Sequence, residues 1–231
     1  MAGGSGPSGP LHGISTAGIK GLKIGVIHHF HESDHKVSEG TQRGIDAALA
    51  TFRDLGAELR EVQLSPLQDW AACGSLISMT ERAAAYEEWS RTRLGDFSER
   101  LRSRLILGAL VSGVDYVQAV RRRRELRAEL QAAMRGLVLT QTQPAEAAKI
   151  DEVPKWDLFD RPNFTMPFNV AGYPAISVCA GFGDGGLPVA IQLVGKPFQE
   201  PTLFRVADAF EKATPFRGQR PALSSAAPTP A

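Results

Sequence analysis

The chain has 231 residues and lacks most of the features that mark special classes of protein. Its two cysteines, Cys73 and Cys179, lie far apart and outside any metal-ligand spacing, so the sequence indicates neither a disulfide framework nor a zinc finger. A formal net charge of +1 leaves no overall field to attract nucleic acid or an anionic membrane. No apolar run approaches the roughly 20 residues that span a bilayer, and the start carries no basic-then-apolar signal sequence. These absences predict a cytoplasmic protein that binds neither nucleic acid nor membrane.

The composition is that of an ordinary globular protein with a buried core, since 43% of the residues are hydrophobic and 22% are charged. Residues 1–18 are rich in glycine, serine and proline and are expected to form a flexible segment. Residues 19–221 are expected to form one domain, and residues 222–231 a disordered tail.

Periodicity predicts a strand–helix–strand unit at the start of this domain. Residues 22–27 have the apolar pattern of a short buried strand, and apolar residues at helical spacing follow over residues 37–55. Gly56 stands where a helix commonly ends, and alternation over residues 59–64 indicates a second strand. The pattern is that of a βαβ unit with a right-handed crossover.

The next part of the chain is mainly helical, with helices predicted over residues 67–89, 97–110 and 115–134. The third helix contains four consecutive arginines at residues 121–124. Because consecutive helical residues point in different directions, this run predicts a solvated or partner-facing helix rather than a nucleic-acid-binding patch. A strand over residues 136–140 follows, and a last helix opens at residue 200.

Two apolar runs, residues 175–178 and 188–194, flank a glycine-rich connection. Glycine permits a tight turn, so this segment predicts a β-hairpin or two neighbouring strands. Almost nothing in either run is charged, which predicts that other elements cover both faces of these strands.

Four histidines, His28, His29, His31 and His35, lie between the first strand and the first helix. One interpretation is a metal site, because neutral imidazole binds transition metals well. The other is a polar loop at the end of a strand. No cysteine or tight carboxylate cluster completes a ligand set in the sequence, so we expect no metal.

The sequence offers no convincing nucleophile with its base. Ser177 lies inside a predicted strand and is expected to be a buried, hydrogen-bonded hydroxyl. Cys179 has no histidine or lysine placed near it and is expected to be a small buried apolar residue. Ser15 and Lys20 are close in sequence but lie in a flexible segment without donors for an oxyanion. We therefore assign no catalytic residue.

A specific set of motifs lies in and around the hairpin segment. They are Arg161-Pro162, Phe168-Asn169, GYPAIS at residues 172–177 and GGLPVAIQLVGKPF at residues 185–198. Together they resemble the C-terminal region of the amidase-signature enzymes, which hydrolyse carboxamide C–N bonds. The resemblance extends over about residues 21–221. It implies an α/β fold with a mixed, largely buried β-sheet flanked by helices, of which this chain would be the incomplete C-terminal part.

The resemblance implies that a serine-rich loop and a lysine, upstream of all these residues, perform catalysis. It also implies that Thr140, Gln141 and Thr142, together with Phe168, shape the substrate pocket. The family usually has Thr-Pro-Thr-x-Pro at this strand end; Thr140, Thr142 and Pro144 match it, but Gln141 replaces the first proline. Because this exchange adds an amide group, the substrate preference of the family does not carry over.

Two hypotheses about function follow. In the first, the chain is the substrate-shaping part of an amidase-type hydrolase and is inactive without its catalytic half. It would then act on a small-molecule amide, dock on a possible separate catalytic chain and need no cofactor. The alternative is a non-catalytic binding or assembly protein derived from an amidase. A stoichiometric partner that carries the serine-rich loop would favour the first.

Overall fold

A computed structural model describes residues 18–153 and 164–220. Three sequence predictions lie wholly or almost wholly outside these ranges: the flexible segment at residues 1–18, the Arg161-Pro162 piece of the motif set, and the tail at residues 222–231. The described residues form a five-stranded sheet with helices packed on both faces, in agreement with the predicted α/β class.

The strands in chain order are β1 (Lys23–Val26), β2 (Glu58–Glu61), β3 (Leu137–Gln141), β4 (Ala175–Phe182) and β5 (Pro188–Val194). Their order in the sheet is β2-β1-β3-β5-β4. β1 is parallel to β2 and β3, whereas β5 is antiparallel to β3 and β4. The sheet is therefore mixed, and the predicted hairpin forms its β4–β5 edge.

The predicted strand–helix–strand unit is present. Ser38 caps helix α1 (Glu39–Asp54), because its side chain accepts a hydrogen bond from the backbone N–H of Thr41 at 3.2 Å. Gly56 follows the helix with φ of 81°, a conformation that glycine adopts without a side-chain clash. The chain can therefore turn directly from the helix into β2, beside β1.

The predicted helix over residues 67–89 is interrupted at Tyr86, where φ is −108° and ψ is 16°. The Tyr86 ring meets the Phe97 ring edge-on at 5.6 Å, a contact between distant residues that helical periodicity does not encode.

None of the described helices is long and apolar enough to cross a membrane. The further helices are α2 (Leu67–Ala85), α3 (Glu87–Thr92), α4 (Glu99–Ala109), α5 (Gly113–Ala133), α6 (Met166–Ala171) and α7 (Glu200–Ala213).

The sheet separates two hydrophobic cores. On one face, α1 and α7 pack together through the stacked rings of Phe52 and Phe210, whose centroids are 5.0 Å apart. On the other face, α2, α5 and α6 surround fully buried side chains such as Trp70 and Leu126. The helices that form the two cores thus bury an apolar face, as in α1 and α7, whose buried residues recur at helical spacing.

The two strands of the hairpin differ in how well they are covered. Most of β5 is buried, but Ala175 and Ser177 of β4 are exposed. The expectation that both faces of both strands are covered is therefore wrong for β4 within the described residues. β4 contains only small and apolar residues, so its sequence looks like that of a buried strand. No charged residue marks the side that is exposed.

Candidate functional site

A polar band crosses three neighbouring strands at one end of the sheet. In the register of the sheet, Thr140 of β3 is opposite Gln192 of β5, and Gln192 is opposite Ser177 of β4. Side chains of residues paired in this way project from the same face. The preceding row contains Val138 and Val194, which belong to the core. The face thus changes from apolar to polar side chains within two residues along the strands, and only Ser177 of the polar row is exposed.

Gln192 holds the polar band together. Its side chain is buried, and Nε2 donates to the carbonyl oxygens of Gln141 and Phe164, each at 2.9 Å. The first carbonyl lies at the end of β3, and the second lies just before α6. One amide group therefore connects two parts of the chain that are distant in sequence. Sequence reasoning included Gln192 in a motif but missed this role; the available signal was a lone amide in an apolar strand.

Two hydroxyl groups lie at the open side of the band. Thr142 Oγ1 and Ser177 Oγ are 3.1 Å apart, and the backbone N–H of Thr142 donates to the carbonyl of Ala190 at 3.0 Å. Ser177 is exposed, so the prediction that its hydroxyl is buried was wrong. Because hydroxyls both donate and accept, this pair can bind either end of a carboxamide group.

Thr142, which contacts the band through Ser177, lines an open cleft of about 670 Å³ between the loop after β3, the start of α1 and the hairpin. The Glu146 carboxylate accepts hydrogen bonds from the backbone N–H groups of Gly185 at 2.9 Å and Leu187 at 2.7 Å. The Ser38 N–H donates to the carbonyl of Pro144 at 2.8 Å. The loop is therefore tied to the hairpin on one side and to α1 on the other, which fixes the shape of the cleft.

The structure brings two of the four predicted pocket residues onto this face. Thr142 lines the cleft, and Thr140 is fully buried two residues before it. Gln141 is also buried and does not line the cleft. Its Oε1 accepts from Thr140 Oγ1 at 2.6 Å, while its Nε2 has no hydrogen-bond partner within the described residues. Phe168 lies in the core and does not line the cleft.

Neither candidate nucleophile on β4 is hydrogen-bonded to a base within the described residues. The Ser177 hydroxyl pairs with Thr142, and Cys179 Sγ donates to the carbonyl of Gly181 at 3.4 Å. Cys73 and Cys179 are both free thiols. Covalent hydrolysis of an amide needs a nucleophile beside a general base. The described surface can therefore orient an amide, but it does not show the group that attacks it.

The histidine-rich segment after β1 forms a π-helical turn over Phe30–Asp34. His35, which follows the turn, lines the cleft, and its ring meets the Phe164 ring edge-on at 6.2 Å. His31 is buried instead, and this burial lowers the pKa of its imidazole below the usual value because the charged form loses its hydration. The segment therefore contributes one histidine to the cleft and buries another in surroundings that disfavour its charged form.

Comparison with known proteins gives consistent matches over most of the chain. The sequence profile of the family described as Amidase matches residues 10–204. The A-subunit of glutamyl-tRNA(Gln) amidotransferase from Carboxydothermus hydrogenoformans is 35% identical over 233 residues, a match that covers 89% of this chain and 47% of the relative. The crystal structure of the corresponding A-subunit from Thermotoga maritima is 31% identical with a TM-score of 0.64, covering 86% of this chain and 44% of that chain.

A third match supports the fold alone. The structure of 6-aminohexanoate cyclic dimer hydrolase has a TM-score of 0.77 at 23% identity and covers 94% of this chain and 50% of that chain. This chain spans about half the length of the curated relatives it matches. The profile match includes the βαβ unit, the polar band and the hairpin. The chain belongs to the amidase family.

Proposed function

We propose that this chain supplies the substrate-shaping part of an amidase-type hydrolase that cleaves carboxamide C–N bonds. The observation that carries the proposal is the hydroxyl pair at the end of the polar band: Thr142 lines the open cleft, and the exposed Ser177 hydroxyl lies 3.1 Å from it. Within the described residues, neither Ser177 nor Cys179 is hydrogen-bonded to a base. Family membership supports the reaction type. The nucleophilic serine, a bridging serine and a lysine would come from another segment, on the same chain or on a separate one.

Strand β4 is the proposed position at which that other segment packs. It is an edge strand of 8 residues without a charged side chain. The opposite edge strand, β2, carries Glu58, Arg60 and Glu61. Charged residues protect sheet edges from pairing with another strand, so the uncharged edge is the one suited to pairing. A separate partner chain as the source of the segment is consistent with a relative that is named as one subunit of an amidotransferase.

In the proposed reaction, the other segment supplies the attacking group and this chain orients the substrate. The serine of the other segment attacks the amide carbon, an acyl-enzyme forms as amine or ammonia leaves, and water then hydrolyses the acyl-enzyme. On this chain, the hydroxyls of Thr142 and Ser177 would hydrogen-bond the substrate amide and orient it for attack. Gln192 would act through them, because it fixes the end of β3 against the segment that leads into α6.

Complementation tests this proposal. The tag-free chain is co-expressed with the half of the Carboxydothermus hydrogenoformans protein that it does not match, and ammonia release from small carboxamides is measured. Turnover by the pair, and by neither half alone, is expected. Thr142→Val should raise KM by up to about tenfold with kcat little changed, because a ground-state hydrogen bond is lost. Thr92→Val, at an exposed position of α3, is the control and should leave both constants unchanged.

Two outcomes would contradict the proposal. One is turnover by this chain alone that a single substitution within it abolishes. The other is a stable pair without turnover, together with a stoichiometric natural partner that lacks a serine-rich loop. The second outcome would instead support a non-catalytic binding or assembly protein derived from an amidase.

A further inference from the structure

Three side chains that the proposed function does not use come together in the turn after β1. One ring nitrogen each of His28 and His31 and a carboxylate oxygen of Glu32 all lie within 4.8 Å of one another. His28 Nδ1 is 3.3 Å from Glu32 Oε1, and the two imidazole rings have centroids 5.7 Å apart. The backbone N–H groups of His31 and Glu32 both donate to the His28 carbonyl at 3.0 Å. This turn places residues three and four apart on the same side.

His31 provides a second, independent observation. Its side chain is only 2% exposed, and neither ring nitrogen has a hydrogen-bond partner within the described residues. The Ile27 backbone lies near enough to the ring to raise the pKa of its imidazole as a weak hydrogen-bond acceptor, but it does not reach the geometry of a full hydrogen bond. Buried polar atoms nearly always have a partner, and an unsatisfied one calls for a reason such as a bound ion. A metal ion would supply the partner that the protein does not.

We propose that His28, His31 and Glu32 bind one divalent transition-metal ion of the zinc type. Two imidazole nitrogens and one carboxylate oxygen suit such an ion. Bonds of about 2.0–2.2 Å require ligand atoms about 3–3.5 Å apart around the ion. The His28–Glu32 pair already has this spacing, at 3.3 Å, and rotation of side chains brings the third ligand into range. A water molecule would complete the coordination.

The surroundings of the group fit a structural ion rather than a catalytic one. Asp46 of α1 lies close enough to interact electrostatically with His31, and outer carboxylates commonly orient histidine ligands. Phe30, between the ligands, is fully buried in the core. His35, a few residues later, lines the cleft. The ion would thus fix the turn that leads into the cleft wall at His35, without taking part in amide hydrolysis.

Titration of the full, tag-free chain tests the site. After dialysis against a chelator, the chain is titrated with Zn²⁺ by calorimetry and with Co²⁺ by visible absorption. Saturable binding of one ion per chain is expected. His28→Gln and Glu32→Gln should each weaken it about tenfold or more. His35→Gln lies in the same segment but outside the group, and it should bind the ion as the unaltered chain does.

His28→Gln and Glu32→Gln test the proposal without replacement of the buried His31. His28 is only partly buried and Glu32 is exposed, so both substitutions are expected to leave the fold intact, which circular dichroism checks. The proposal is overturned if no saturable binding occurs. It is also overturned if folded His28→Gln and Glu32→Gln bind as tightly as the unaltered chain, or if His35→Gln weakens binding as much as they do. In those cases the contact between His28 and Glu32 is an ordinary surface contact and not part of a metal site.

Discussion

Replacing Gln192 by leucine is expected to weaken the sheet where the polar band begins. Gln192 is only 3% exposed and donates to the carbonyls of Gln141 and Phe164, each at 2.9 Å. A hydrogen bond contributes about 0.5–1.5 kcal/mol, and a buried polar group left without a partner costs about 1–3 kcal/mol. Leucine fills a similar volume but replaces neither bond. The free energy of unfolding should therefore fall by about 2–4 kcal/mol.

Urea unfolding followed by circular dichroism measures this change, and a thermal scan gives a second readout. For a chain of this size, a loss of about 2–4 kcal/mol lowers the thermal midpoint by about 4–16 °C. Gln131→Leu makes the same exchange at an exposed position of α5 and should change stability by less than about 0.5 kcal/mol. If Gln192→Leu changes stability no more than Gln131→Leu does, the two carbonyls do not depend on Gln192 and the reasoning is refuted.

Two further predictions concern helix packing and the cleft loop. Gly108→Ala should lower the free energy of unfolding by about 1–3 kcal/mol in urea titrations, because a Cβ there would lie 2.1 Å from the carbonyl oxygen of Met79. Gly95→Ala, with open space around it, is the control. Equal effects of the two substitutions would contradict the packing argument. Glu146→Gln should speed hydrogen exchange of the Gly185 amide about tenfold, because a charge-assisted hydrogen bond weakens; an unchanged rate would show that the loop is not held there.

Local patterns were sufficient to predict most of the helices and strands. The βαβ unit could be predicted because an apolar strand, an amphipathic helix and Gly56 occur in order along the sequence. The buried face of α7, formed by Leu203, Val206, Ala207 and Phe210, follows from helical spacing alone. The break at Tyr86 could not be predicted in this way, because helical periodicity does not encode the ring contact between Tyr86 and Phe97.

The candidate site was only partly predictable, because it depends on how strands pair. The resemblance predicted that the end of β3 shapes a substrate pocket, and this stays a prediction; the structure places Thr142 in the lining of the cleft. The pairing of Thr140, Gln192 and Ser177 across three strands is a consequence of register, which no single segment encodes. The contact between His28 and Glu32 was missed for a different reason: the π-helical turn brings together side chains whose spacing looked ordinary in the sequence.

The central claim is that the catalytic groups come from another segment, and its most direct test is the activity of the purified chain by itself. Ammonia release from a panel of small carboxamides is measured for the tag-free chain and for its Ser177→Ala and Cys179→Ala variants. The account predicts that all three give no turnover above the blank, because neither residue is hydrogen-bonded to a base within the described residues. Turnover by the unaltered chain that either substitution abolishes would contradict the account and place the nucleophile on β4.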